Sequence, residues 1–161
     1  MGRADVELND TGREQAIAMR DKLKDAKFSV ILSSPLKRAK ETAEIITEFH
    51  PGTPIVVADE LIERDFGEYE GQVHGGGYFG LWDYGSGKSP DRGESLLNLA
   101  ERVFPFLDRI REEYKGKDIL LVTHGGLGVM IEEYYRGRPD SGNLLEYVMG
   151  TGELRIFDNK D

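Results

Sequence analysis

Four apolar residues in succession, Ile119-Leu-Leu-Val122, are flanked by turn-forming residues and read as a strand buried on both faces. Such a strand belongs inside a parallel sheet with helices packed over it, which already narrows the architecture to the α/β class. Thr123-His124-Gly125-Gly126 follows directly, and then a second apolar stretch, Leu127 to Tyr135, that reads as a helix. In open α/β sheets ligands bind beyond the carboxyl ends of the strands, where a helix start offers free N–H groups. Gly125 and Gly126 allow a ligand to approach the backbone closely. His124 therefore has two readings, a ligand-facing group or a residue that only closes a strand end.

Composition sets the outer bounds. A chain of 161 residues holds one domain, 1–161, with a real core. It has no apolar run long enough for a membrane span and no signal-peptide pattern, so the cytoplasm is the expected location. Zero cysteines exclude disulfides and thiolate metal sites. A formal net charge of −9 argues against nonspecific nucleic-acid binding, because no basic field is present to neutralise phosphates. An anionic substrate must instead meet a small local positive cluster.

Along the chain, Thr11 and Glu14 stand at capping-box spacing, followed by the buried stripe Ala16, Met19, Leu23 and Ala26. Phe28 to Leu32 reads as a strand. Ser34 is placed to cap a helix and Pro35 to occupy its first position, with Leu36, Ala39, Ala43 and Ile46 facing inward. Lys37 and Arg38 oppose the dipole of that helix, a penalty that a bound anion would reverse. Arg38 is the candidate, since its fork suits phosphate, whereas Lys37 reaches into water. Ile55 to Ala58 is a third strand. The acidic segment 60–71 follows, with Glu63 as a candidate proton donor or a merely solvated carboxylate. Residues 72–93 form a long loop; its Gly87-Lys88-Ser89 lacks the glycine and the strand of a nucleotide-binding loop. A helix over 94–114, kinked at Pro105, precedes the 119–122 strand. Residues 144–149 and 153–157 read as a closing β-hairpin. The order points to a three-layer α/β/α sandwich with a mostly parallel central sheet.

These segments together resemble the histidine phosphatase superfamily, the phosphoglycerate mutase-like proteins. The resemblance is carried by Leu8-Asn-Asp-Thr-Gly-Arg-Glu-Gln-Ala16, Ser33-Ser-Pro-Leu-Lys-Arg-Ala-Lys-Glu-Thr-Ala43, Leu61-Ile-Glu-Arg-Asp-Phe-Gly-Glu-Tyr-Glu-Gly71, Gly93-Glu-Ser95 and Val122-Thr-His-Gly-Gly126. It implies a phosphate pocket of two histidines and two arginines, in which one histidine attacks phosphorus and an acidic residue protonates the leaving oxygen. Position by position, Arg38 matches the second arginine, Glu63 the proton donor and His124 the second histidine, and the Gly125 N–H would hold a phosphoryl oxygen. No metal or other cofactor is implied; the partners expected are a small phosphorylated metabolite or inorganic phosphate.

The family's first strand ends in Arg-His-Gly and supplies the attacking histidine and the first arginine. This sequence is expected to start beyond that strand, since neither His50 nor His74 has its context. A phosphatase lineage that is inactive as it stands is therefore one expectation, and a non-catalytic phospho-ligand-binding or interaction protein the other. Arg102-Val-Phe-Pro105 is similar to the mutases, but the short loop after Gly71 favours a phosphatase. The resemblance also places the absent strand between 28–32 and 119–122. A gap of roughly 10 Å there could not be bridged by backbone hydrogen bonds. Either the two strands close up and pair directly, with the helices repacked, or a partner fills the slot by strand exchange; the exchange, which makes a homo-oligomer, is the favoured expectation.

Overall fold

The computed structural model describes residues 2–71 and 78–158. Its elements in order are α1 (Asp10–Leu23), β1 (Val30–Ser33), α2 (Lys37–Thr47), β2 (Ile55–Val57), α3 (Leu96–Glu113), β3 (Ile119–Val122) and α4 (Gly125–Arg136). The strands form one parallel sheet in the order β2-β1-β3. Alternation across the pleat divides the core in two. Val30 and Leu32 of β1 point to α3 and α4, among Leu99, Val103, Leu107, Leu127 and Met130. Ile31, with Leu120 and Val122 of β3, points to Leu23 of α1 and to Ala39, Ala43 and Ile46 of α2. Two helices on each face make the three-layer α/β/α sandwich, and no helix among the described residues is long and apolar enough to cross a membrane.

Several expectations need correction. The gap between the first and third strands does not exist. β1 and β3 are direct neighbours, with Ile31 opposite Leu120 and Ser33 opposite Val122, and Ser34 N donates to Val122 O at 2.9 Å. Pairing satisfies backbone groups that a gap would strand in the core, so there is no slot here for an exchanged strand. Among the described residues, nothing pairs with the outer edges of β2 and β3.

The closing hairpin is also absent. Leu144–Tyr147 is a 3-10 turn, capped by the Asn143 side chain, and residues 148–158 hold no strand. Val148 and Ile156 are exposed, so the alternation has no second face to bury, and an isolated hairpin is marginal in water. The segment is fixed by side chains instead: Arg155 pairs with buried Glu132 of α4, and Phe157 stacks on Tyr135 at 4.7 Å.

Helix α1 is capped by Asn9, whose side chain accepts from Gly12 N at 2.8 Å, rather than by Thr11. Helix α2 starts at Lys37, two residues beyond Pro35, because Leu36 is extended. It has no local side-chain cap; the carboxylate of Asp5, far upstream, accepts from Lys37 N at 2.7 Å. Helix α3 runs unbroken through Pro105, and β2 is an edge strand with exposed Val56 and Val57.

Candidate functional site

The carboxyl ends of β1 and β3 lie side by side, so the residues that follow them meet. After β3, His124 stands at the start of α4; after β1, Ser34 is fully buried. His124 Nε2 lies 2.7 Å from Ser34 Oγ. The same hydroxyl accepts from Leu36 N at 3.3 Å, which places Ser34 in the turn before α2 and turns it toward the imidazole.

Arg38, in the first turn of α2, is partly buried. Its Nη1 and Nη2 donate to the main-chain carbonyls of Ala4 and Gly2, both at 2.7 Å. Residues 2–5 thus form one wall of the site, fastened to α2 a second time by Asp5. At the start of α2 an internal carboxylate, Asp5, offsets the unfavourable charges of Lys37 and Arg38. Lys37 is exposed, as expected.

Glu63 enters from the segment after β2 and is 8% exposed. Its carboxylate accepts from Arg64 N at 2.8 Å and from Gly126 N at 3.2 Å, so it lies across the start of α4. A Cβ on Gly126 would stand 2.4 Å from Glu63 Oε1 and 3.0 Å from the Trp82 ring. Only glycine permits that approach. Gly125 is exposed, and a Cβ on it would meet nothing within 4 Å, so its backbone is open to a ligand. Thr123 Oγ1 donates to Leu61 O at 2.9 Å, tying the end of β3 to the segment that carries Glu63.

Electrostatics link the three predicted residues. Burial lowers the pKa of His124 to about 3, and the positive charge of Arg38 pushes the same way, so the ring is neutral. Burial raises the pKa of Glu63, opposed by the two backbone donors and by Arg38. A cation, a neutral imidazole and a carboxyl that resists ionisation therefore share one place. That set can hold an oxyanion and supply a proton.

His50 is elsewhere, buried beyond the far end of α2 with its ring 5.1 Å from that of Phe28. His74 lies outside the described residues. Four residues of the site escape the sequence reading: Ser34, which passes for a helix cap; Gly126, since a glycine pair does not say which member is crowded; and Arg3 and Asp5. Arg3 Nε donates to Glu63 O at 2.9 Å, and its guanidinium pairs with Glu94 at 3.3 Å. The strong charges of Arg3 and Asp5 in an otherwise irregular segment are the only local signal.

The sequence profile of the histidine phosphatase superfamily (branch 1) matches residues 1–157. The chain is 37% identical over 168 residues to phosphoglycerate mutase-like protein 4 of Arabidopsis thaliana, covering 98% of this chain and 72% of that one. It is 35% identical over 144 residues to the uncharacterized phosphatase PhoE of Bacillus subtilis, covering 86% and 70%. Among solved structures, mycobacterial glucosyl-3-phosphoglycerate phosphatase in complex with inorganic phosphate superposes with a TM-score of 0.74. The two are 28% identical, and the match covers 89% of this chain and 75% of that one.

Proposed function

The chain belongs to the histidine phosphatase superfamily, and from that premise we propose that it binds the phosphoryl group of small phosphorylated metabolites, or inorganic phosphate, beyond the ends of β1 and β3. In this reading Arg38 and His124 hold non-bridging oxygens, the Gly125 N–H adds a third donor, and Glu63 keeps the proton for the leaving oxygen. The observation that carries it is the meeting of three groups beyond the ends of β1 and β3: an imidazole that burial keeps neutral, a carboxyl held at the Gly126 N–H whose pKa burial raises, and the arginine that acts on both. Phosphoryl transfer asks a protein mainly for positioning and charge neutralisation, which these groups supply. The phosphate-bound mycobacterial relative supports the ligand class.

Hydrolysis also needs an attacking group. Among the described residues His124 is the one imidazole at the site, and it cannot attack while it also holds an oxygen. We therefore place the chain as a phosphatase by lineage, with turnover reduced on the order of 10⁴ to 10⁶-fold, the usual cost of a missing nucleophile. Titration with inorganic phosphate, followed by the imidazole NMR signals of His124, tests binding. A saturable shift is expected, weakened at least tenfold in Arg38→Ala; signals that do not move would overturn the pocket. Turnover of an aryl phosphate in the ordinary enzymatic range, abolished by His124→Ala, would identify His124 as the nucleophile and overturn the assignment of low activity.

A further inference from the structure

Arg102 lies on α3, away from the phosphate-facing residues. Its Nε and Nη2 donate to the two carboxylate oxygens of Glu94, each at 2.8 Å, a two-pronged pair. This fork leaves Nη1 directed at the segment before Glu63. There it donates to the main-chain carbonyls of Glu60 at 2.6 Å and Ile62 at 3.0 Å. The far side of Glu63 is fastened to the same glutamate. Arg64 Nε donates to Glu94 O at 2.9 Å, and Glu94 N donates to Asp65 O at 2.8 Å. Glu63 thus sits on a short arch with both feet on Glu94.

The side chains of Arg102 and Glu94 are 19% and 11% exposed, so the pair is largely withdrawn from water. Apolar residues in such a place often stabilise a fold as well as or better than ions do. What an apolar side chain cannot do is bind the carbonyls of Glu60 and Ile62 together and set their height.

We propose that Arg102, oriented by Glu94, is a positioning residue for Glu63, fixing through the carbonyls of Glu60 and Ile62 where the Glu63 carboxyl stands against the Gly126 N–H. The proposal rests on the reading of Glu63 as proton donor. Lysine at 102 would keep the charge but could not grip a carboxylate with two prongs and still reach two carbonyls. Geometry and long-range charge are therefore separable.

The test is the titration of Glu63, followed by its carboxyl-carbon NMR signal and assigned by the loss of that signal in Glu63→Gln. In Arg102→Lys and Arg102→Met the carboxyl should swing toward water, and its titration should move down toward that of a solvated glutamate. Arg109→Met, which removes a cation from the Glu60 side chain on the same segment, should leave the titration unchanged. A Glu63 that titrates identically in Arg102→Lys and in the unaltered chain would overturn the proposal. If the position-102 variants do not fold, Glu94→Gln, which keeps the shape and weakens the fork, must shift the titration in the same direction, and no shift overturns it. Failure of the phosphate reading looks different: phosphate would then leave His124 and Glu63 unmoved while the dependence on Arg102 persisted.

Discussion

A histidine whose pKa falls from 6.5 to about 3 on folding makes stability depend on pH in a defined sense. Below the unfolded value the unfolded chain binds a proton that the folded chain refuses, so stability drops as pH falls from 6.5 towards 3. Urea midpoints of His124→Gln should be flatter than those of the parent chain across that window. Glu63 works in the opposite sense, because its folded pKa is raised. The folded chain retains that proton longer, so its contribution is complete at low pH and is lost as pH rises through the folded pKa; Glu63→Gln should remove this decline. The two adjacent glycines should part company in the same way. Alanine at Gly125 meets open space and should cost or gain less than about 0.5 kcal/mol. Alanine at Gly126 would gain up to about 1 kcal/mol of helix propensity but collides with a doubly held carboxylate and an indole. Overpacking of that kind costs about 1–3 kcal/mol, so the clash wins and denaturation midpoints should fall.

Elements with a periodic or continuous apolar pattern were legible in the sequence: all four helices, and three strands, β3 at its observed bounds and β1 and β2 within a residue or two. Their neighbours were less so. β1 and β3 are both largely apolar, Ser33 at the end of β1 being the one polar residue, and such a pattern carries no mark of which strand lies beside it. Capping shows the same limit. Ser34-Pro35 has the local form of a helix start, yet α2 takes its cap from Asp5, a partner 32 residues away that no window of sequence displays. Of the site, Arg38 and His124 were visible because their residue types sit oddly in their segments, and Glu63, one carboxylate in an acidic run, was singled out by the family resemblance; Ser34 and Gly126 were hidden in ordinary roles. The carboxyl-terminal segment has strand-like alternation but is held by charge. Arg155→Ala should leave buried Glu132 with Arg136 as its remaining ion-pair partner. A loss of roughly 1–3 kcal/mol is expected, with faster amide exchange confined to residues 150–157.

At the scale of the molecule, the site gathers residues 2–5, 34–38, 63 and 124–126 from distant parts of the chain, and apart from the Asp5 cap on α2 the helices need none of these meetings to form. Residues 2–5 are joined across long separations, Arg3 N to the Glu70 carboxylate at 3.0 Å and the Arg3 guanidinium to Glu94. The β1–β3 pairing spans as much chain but lies in the apolar core, whereas these polar contacts bury little apolar surface, so they are expected to form late, after the transition state has buried most of the core. An anion that needs the completed wall would then meet only the finished fold. Phosphate should leave the refolding limb of a chevron plot where it is and slow the unfolding limb, with the whole gain in stability appearing as a longer lifetime of the native state. Acceleration of refolding by phosphate would mean that the wall of residues 2–5 closes before the sheet does.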